Sequence, residues 1–211
     1  MGRVLLACEE SQAVMKAFRE RGHEAFSCDL QNCSGGEPQW HYQQDAGELL
    51  REKHWDLVIA FPPCTYLTTS GNRWFNVEKY GEKAIQRDKD REAAINFFMM
   101  FANADVERVA IENPVGVMSS RFRKPDQCFH PYHFGDPAEK RTCLWLKNLP
   151  RLVPTNVVEP PERRKFKSGK TMAHWMADAW DLPPAERSKV RSKTFQGVAN
   201  AMAEQWGALI E

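Results

Sequence analysis

The stretch Asp56–Cys64, with the sequence DLVIAFPPC, contains an apolar run that stops at two consecutive prolines. Such a run is typical of a strand buried on both faces, as in a parallel sheet between two layers of helices. Proline cannot donate a hydrogen bond to a sheet, so the two prolines are expected to end the strand. The sequence therefore predicts a central strand at Asp56–Ala60 followed by a rigid loop.

Similar apolar runs recur along the chain and alternate with longer amphipathic segments. The other predicted strands are Arg3–Cys8, Glu24–Cys28, Arg108–Glu112 and Thr142–Leu146. The predicted helices are Ser11–Arg21, capped by Ser11, then Gly47–Lys53, 83–103 and 193–210, with loops at 61–82 and 162–170. This alternation predicts an α/β fold with a doubly wound, mostly parallel sheet. Ligands bind such sheets at the carboxyl ends of the strands, where Asp29, Cys64 and Glu112 are expected.

Composition limits the class of protein. The chain has 211 residues, and 29 basic against 28 acidic residues give a net charge of +1. This length suits one domain, and no apolar stretch approaches the ~20 residues of a membrane span, so we expect no membrane partner. The six scattered cysteines do not suit a disulfide scaffold, which favours free thiols and a cytoplasmic location. Cys128, His130 and His133 lack a second pair of ligands, so no metal site is predicted.

The loop after the prolines offers Cys64 as a nucleophile, because a thiolate held in a rigid exposed loop can attack an electrophile. A related loop, opened by an acidic or Asn residue and with an aromatic after the prolines, serves amino-group methylation. The third interpretation is that Cys64 only fills a turn. The loop by itself leaves these interpretations open.

The chain as a whole resembles the DNA cytosine-5 methyltransferases, and in particular a small, phage- or mobile-element-like member. The family's catalytic loop is Pro-Cys-Gln-x-Phe-Ser-x-x-Gly, and Pro63, Cys64, Thr68 and Gly71 are in register with it. Glu112-Asn113 is similar to the family's Glu-Asn-Val motif, and residues 133–141 are similar to its eighth motif. Thr65 and Leu67 depart from the family's Gln and Phe. The resemblance implies a fold of the class I S-adenosylmethionine-dependent type.

This resemblance also implies a mechanism and a set of site residues. Cys64 would add to C6 of a flipped-out cytosine and Glu112 would bind N3, with Arg141 as a further catalytic residue. In strict register, however, Lys140 and Thr142 match the family's two arginines. Asn113 would fix the Glu112 loop. The remaining predicted substrate contacts are Pro62, Thr68, Gly71, Lys140, Arg163, Arg164 and Lys165. The last three belong to the basic loop, which is either a phosphate-contacting arm or a solvated surface segment.

The cofactor implied by the resemblance is S-adenosyl-L-methionine. The family's glycine-rich first loop corresponds to residues 7–11, which contain no glycine, although the amino end of the predicted Ser11 helix could still face the cofactor. Asp29 fits the acid that binds the ribose hydroxyls. The predicted cofactor contacts are Ala7, Glu10, Ser11, Asp29, Asp45, Phe61 and Pro63.

The same resemblance predicts a core of residues 1–142 and 193–211, with a minimal target-recognition segment at 143–192. The substrate would be DNA, either duplex with base flipping or single-stranded, with an accessory partner to help recognition. Two alternatives stay open. One is a catalytically impaired relative that only binds nucleic acid. The other is an enzyme that modifies C5 of a free pyrimidine nucleotide.

Overall fold

A mostly parallel sheet forms the centre of the structure, a computed structural model that describes residues 1–210. Within these residues the sheet has seven strands in the order β3-β2-β1-β4-β5-β7-β6. The first five strands are parallel, whereas β7 runs antiparallel to both of its neighbours. The strands are β1 (Arg3–Ala7), β2 (Glu24–Cys28), β3 (His41–Tyr42), β4 (Leu57–Ala60), β5 (Arg108–Pro114), β6 (Gln127–Phe129) and β7 (Thr142–Lys147).

Helices cover both faces of this sheet. The α-helices are α1 (Ala13–Arg19), α2 (Ala46–Glu52), α3 (Val77–Tyr80), α4 (Glu82–Ala102), α5 (Met118–Arg121), α6 (His174–Trp180), α7 (Pro184–Ser192) and α8 (Gln196–Gly207). Alternate residues of β1 enter two separate apolar layers: Val4 and Leu6 pack with α1 and α8, whereas Leu5 and Ala7 pack with α2 and α4. The predicted α/β class, with a doubly wound and mostly parallel sheet, is confirmed.

The first helix differs from its prediction. It begins at Ala13, and its cap is Gln12 in a left-handed conformation, with φ of 58°, so Ser11 does not cap it. The Glu9 carboxylate instead accepts hydrogen bonds from the backbone N–H of Val14 at 2.6 Å and of Met15 at 3.1 Å. These bonds satisfy amino-terminal N–H groups that would otherwise lack partners. The amino end of α1 is therefore occupied by the chain itself.

Two segments predicted to be loops have regular structure. Residues 61–82 contain a 3-10 helix, Thr69–Phe75, and then α3. The Thr68 hydroxyl accepts from the N–H of Ser70, and the Asn76 side chain accepts from the N–H of Lys79. These two side chains were the sequence signal for the helices, since Thr and Asn are common amino-terminal caps.

The second such segment is the basic stretch at 162–170, which forms a hairpin of β8 (Arg164–Lys165) and β9 (Thr171–Met172). At the carboxyl end of the chain, α8 is shorter than the predicted helix at 193–210. Residues 143–147, which were assigned to the recognition segment, lie in β7 of the central sheet. Between β7 and α8, the segment predicted to recognise the target contains the hairpin, α6 and α7.

Candidate active site

The neighbouring parallel strands β4 and β5 bring Cys64 and Glu112 to one edge of the sheet. Ala60, the last residue of β4, pairs in register with Ile111 of β5. The chain therefore leaves β4 beside Glu112 and enters the Pro62-Pro63-Cys64 loop. Cys64 is exposed at this edge, so its thiol can reach a molecule bound there. The region around Cys64, Glu112 and Lys140 is called the cleft.

Asn113 joins the two strand ends. Its side chain is buried, and Nδ2 donates a hydrogen bond of 2.7 Å to the carbonyl oxygen of Pro62. The sequence predicted that Asn113 fixes the Glu112 loop, whereas the observed bond fixes the loop that carries Cys64. A buried carbonyl without a partner is costly, so this bond holds Pro62 firmly in place.

Gly116 lets the loop after β5 pack against the Cys64 loop. The N–H of Val117 donates to the carbonyl oxygen of Leu67 at 2.8 Å, and Thr68 and Gly116 form an isolated antiparallel bridge. A Cβ atom on Gly116 would lie 2.1 Å from the Leu67 oxygen. A residue with a side chain could not occupy this position without moving one of the loops.

Arginines on α4 support the Cys64 loop from its other side. Arg91 Nε donates to the carbonyl oxygen of Tyr66 at 2.9 Å, and Arg87 Nη2 donates to that of Thr65 at 3.3 Å. The sequence predicted no role for either arginine, and both contacts were missed. The available signal was their spacing of four residues, which puts them on one face of the helix.

The surroundings of Cys64 have opposing effects on the pKa of its thiol. Protein atoms around the thiolate reduce its hydration and raise the pKa of Cys64, and the nearby Glu112 carboxylate raises it further. Lys140 and Arg191 act in the opposite direction. Because α7 carries Arg191, the segment between β7 and α8 contributes a cation to this cleft.

Glu112 is held in a poorly hydrated position. Burial raises the pKa of its carboxyl group, and the positive charge of Lys140 partly counteracts this effect. A carboxyl group with a raised pKa keeps its proton to higher pH and can donate it to an acceptor. One cation, Lys140, thus acts on both Cys64 and Glu112.

The structure places Lys140 rather than Arg141 in the cleft. Lys140 and Thr142 line a small pocket together with Glu112 and Phe195. Arg141 is exposed and does not belong to this lining. Side chains alternate in extended chain, so residues 140 and 142 share a side and residue 141 points away from it. Of the two predicted cations, Lys140 has the position from which it can contact a substrate beside Glu112.

Most of the predicted cofactor residues lie at or after the carboxyl ends of β1, β2 and β3, and the remaining two, Phe61 and Pro63, follow β4. Cys8 follows Ala7 in the left-handed region, with φ of 61°. Its pKa is raised by burial and also by Asp29 and Asp45, so both acids lie near this turn. The left-handed conformation usually requires glycine. The chain therefore keeps a backbone turn typical of glycine where the sequence has none.

The carboxylates of this cluster have different roles. Glu9 is buried at the start of α1, where burial raises its pKa to about 8 against the opposing effect of its two backbone hydrogen bonds. Asp45 caps α2 by accepting from the N–H groups of Gly47 and Glu48. The Oε2 atom of Glu10 is buried and has no hydrogen-bond partner within residues 1–210. Glu10 therefore retains an oxygen able to accept from a ligand.

Several predicted residues lie in contacts with other parts of the protein. Phe61 packs against the layer that contains α1 and α8, and its N–H donates to the Ala7 carbonyl at 2.9 Å. Arg163 forms an ion pair with Glu139, the residue before Lys140. This pair connects the basic hairpin to the edge of the cleft. Arg164 lies 3.9 Å from Asp178, and Lys165 is exposed.

Gly71 lies behind the Cys64 loop, where a Cβ atom would be 2.9 Å from Nη2 of Arg87. Within residues 1–210 no group of three His, Cys, Asp or Glu side chains is placed to hold a metal ion. No helix in the same range is long and apolar enough to cross a membrane.

Similarity to known proteins is found among solved structures. No family model and no curated protein matches the chain. Among solved structures, the chain is similar to a provisionally assigned DNA modification methyltransferase encoded within an E. coli prophage, at 13% identity and a TM-score of 0.48. The match covers 87% of this chain and 56% of that one, so this chain spans little more than half of that protein's length.

Proposed function

We propose that the protein is an S-adenosylmethionine-dependent DNA cytosine-5 methyltransferase. One observation carries the proposal: a thiol and a carboxyl group, Cys64 and Glu112, lie at the ends of adjacent parallel strands and share the positive charge of Lys140. Attack on a pyrimidine ring requires this pair of groups, one acting as nucleophile and the other as acid.

In the proposed mechanism, the Cys64 thiolate forms a bond with C6 of cytosine. Glu112, in its acid form, donates a hydrogen bond or a proton at N3, so that the electrons of the C5–C6 double bond become available at C5. The raised pKa of Glu112 supports this role, because it extends the pH range in which the carboxyl group carries its proton. Once C5 carries the new group, its proton passes to solvent, the electrons of the C5–H bond re-form the C5–C6 double bond, and Cys64 leaves C6 as a thiolate.

The positive charges of the cleft support the nucleophile. Lys140 and Arg191 partly counteract the burial that raises the pKa of Cys64, and so favour the thiolate, which is the reactive form of cysteine. Lys140 also lies where it could bind O2 of the base or a flanking phosphate. Asn113 is a positioning residue in this mechanism, since it acts through the carbonyl of Pro62.

The cofactor would be held by Glu10, Asp29 and Asp45, with Ala7, Ser11, Phe61 and Pro63 around it. The residues present fit such a ligand, since the buried Oε2 of Glu10 has no partner within residues 1–210 and can accept a hydrogen bond from it. When bound, S-adenosylmethionine would supply the methyl group. The amino end of α1 would not contact it, because Glu9 occupies that position.

DNA would reach the cleft with the target base outside the stack. We propose that the segment between β7 and α8, with Arg163, Arg164 and Lys165 on its hairpin, contacts phosphates near the target. Arg191 is part of the same segment and acts on Cys64. This small recognition segment favours a short or relaxed target sequence, or help from an accessory partner.

Covalent trapping on DNA that contains 5-fluorocytosine tests the proposal. Fluorine at C5 cannot leave as a proton does, so the bond from Cys64 to C6 should persist as a denaturation-resistant protein–DNA adduct. We expect the adduct with wild type in the presence of the methyl donor, none with Cys64→Ser and strongly reduced yield with Glu112→Gln. Cys128→Ser is the matched control, because Cys128 is also exposed.

Three results would contradict the proposal. Labelled methyl transfer to DNA that survives Cys64→Ser would exclude the covalent mechanism. Binding of DNA without binding of the methyl donor, and without an adduct, would indicate a relative that only binds nucleic acid. Transfer to dCMP in preference to DNA would indicate an enzyme of free nucleotides.

A further inference from the structure

A groove lies beside the Cys64 loop, on the side that faces α4. Its volume is about 550 Å³, and its lining includes Tyr66, Trp74, Tyr80, Lys83 and Arg87. Tyr66 belongs to the Cys64 loop itself, two residues along the chain. The groove therefore adjoins the proposed active site but uses none of the groups assigned to the reaction.

Aromatic rings form much of this lining. The Trp74 side chain is exposed, with 42% of its surface accessible, and its ring centroid lies 5.0 Å from that of Tyr80 at an interplanar angle of 47°. An exposed tryptophan next to a tyrosine is a poor arrangement for a surface that only meets water, since both rings could bury apolar area. The exposed Trp74 ring, with Tyr80 tilted beside it, offers an apolar surface to a planar ligand.

Cations surround these rings. The guanidinium of Arg73 lies 4.7 Å from the Trp74 ring centroid, and Lys79 Nζ lies 5.4 Å from that of Tyr80. Arg87 lies 5.0 Å from the Tyr66 ring centroid. Its Nε atom is buried without a hydrogen-bond partner within residues 1–210, so it has a donor to offer. Asp90 is the acidic residue of the lining, and it accepts a hydrogen bond of 2.9 Å from Gln86.

We infer that this groove binds an unpaired nucleobase of the nucleic-acid substrate, stacked on Trp74 with Tyr80 beside it, and with Lys83 and Arg87 near its phosphate. Aromatic faces bordered by cations match a ligand that is planar, apolar on both faces and negatively charged at one end. A base within an intact duplex hides its faces in the stack and cannot enter. The inference rests on the proposed function, and it indicates that the enzyme prefers DNA with unpaired nucleotides near the target.

An oligonucleotide without cytosine isolates this groove from the proposed active site. We would measure by fluorescence anisotropy the affinity of wild type and variants for labelled single-stranded oligo(dT). Loss of one stacked base costs ~1–3 kcal/mol, so Trp74→Ala should weaken binding by about fivefold to 150-fold. Trp74→Phe should retain most of the affinity, because it keeps an aromatic face.

The matched control is Ile85→Ala, since Ile85 is another large apolar side chain, 47% exposed on α4 but outside the groove lining. It should bind like wild type. Lys83→Ala should weaken binding and make its salt dependence shallower, because one phosphate contact is lost. A matching paired duplex should bind wild type more weakly than the single strand does.

The inference is overturned if wild type does not bind oligo(dT), if Trp74→Ala binds like Ile85→Ala, or if the paired duplex binds better. Its failure can be separated from that of the proposed activity. If the wild-type protein methylates DNA but Trp74→Ala binds oligo(dT) with unchanged affinity, only the inference about the groove is wrong. If Trp74→Ala loses affinity for oligo(dT) but the wild-type protein transfers no methyl group, the groove is supported and the proposed activity is wrong.

Discussion

Asn113 Nδ2 donates a hydrogen bond of 2.7 Å to the carbonyl oxygen of Pro62 and so fastens the end of β5 to the loop that carries Cys64. The Oδ1 atom of the same amide is buried without a partner within residues 1–210. This one side chain therefore fixes the relative positions of the proposed nucleophile and the proposed acid, Glu112.

Asn113→Ala should lower both stability and activity. It leaves the Pro62 carbonyl without its donor, which costs about 1–3 kcal/mol when the acceptor is buried. Chemical denaturation should show this loss, and single-turnover methyl transfer should slow more than donor binding weakens. Gln43→Ala is the control, because it removes a similar amide–carbonyl bond, to Leu30, at an exposed site. Equal losses for both variants would contradict the role of Asn113.

Gly116→Ala should displace the Cys64 loop. The new Cβ would lie 2.1 Å from the backbone oxygen of Leu67, and overpacking of this kind costs about 1–3 kcal/mol. Gly47→Ala provides the comparison, since its Cβ would meet the flexible end of Met100 at 2.6 Å. It should be nearly neutral because alanine also favours the helix that Gly47 belongs to. Adduct formation with 5-fluorocytosine DNA should fail for Gly116→Ala only.

Lys140→Met should raise the pKa of Cys64, because the variant lacks a positive charge that lowers it. The thiolate fraction at a given pH then falls, so the pH profile of Cys64 alkylation should move to higher pH. Iodoacetamide labelling, assigned to Cys64 by peptide mass spectrometry, measures this shift. Arg141→Met should leave the profile unchanged, since Arg141 does not act on the thiol. A larger shift in Arg141→Met would reverse the assignment of the two cations.

Glu112→Gln should abolish activity and yet stabilise the protein at neutral pH. Burial raises the pKa of Glu112 in the folded state, so the folded protein binds this proton more tightly than the unfolded chain does. The stabilising contribution is complete below the ordinary carboxyl pKa of about 4.3 and is lost as pH rises through the raised value. Denaturation at several pH values should therefore show that the free energy of unfolding of the variant, relative to that of wild type, increases with rising pH. A constant difference would contradict the shift.

Cys8→Gly and Gln12→Gly should change stability in opposite directions. Both residues have positive φ, 61° and 58°, and glycine relieves about 1 kcal/mol of strain at such a position. Cys8 is half-buried, so its replacement should be neutral or stabilising. Gln12 bonds both the N–H and the carbonyl of Glu37, and losing these bonds should cost roughly 1–3 kcal/mol. Thermal unfolding of both variants checks the prediction, and a similar loss in each would refute it.

Five strands of the central sheet (β1, β2, β4, β5 and β7) were predicted from the sequence to within one or two residues, whereas the short strands β3 and β6 were not predicted. Each of the five strands is an apolar run bounded by polar residues, glycine or proline. Because such a strand is buried on both faces, the apolar run is continuous and can be recognised from neighbouring residues alone. The prediction failed at 69–80, where short helices depend on the caps Thr68 and Asn76 rather than on periodicity. It also failed for Arg87 and Arg91, because their partners on the Cys64 loop are distant in the sequence.

The sequence by itself determined five strands of the sheet, the loop that follows β4 and the chemical types at the strand ends, because hydrophobic runs and prolines act on neighbouring residues. Only the tertiary structure decided that Lys140 rather than Arg141 lines the pocket with Glu112, that Asn113 holds the Cys64 loop, and that Glu9 caps α1. Each of these contacts depends on how segments that are distant in the sequence come together, or on the side of an extended segment to which a side chain points. A shift of one residue reverses that side.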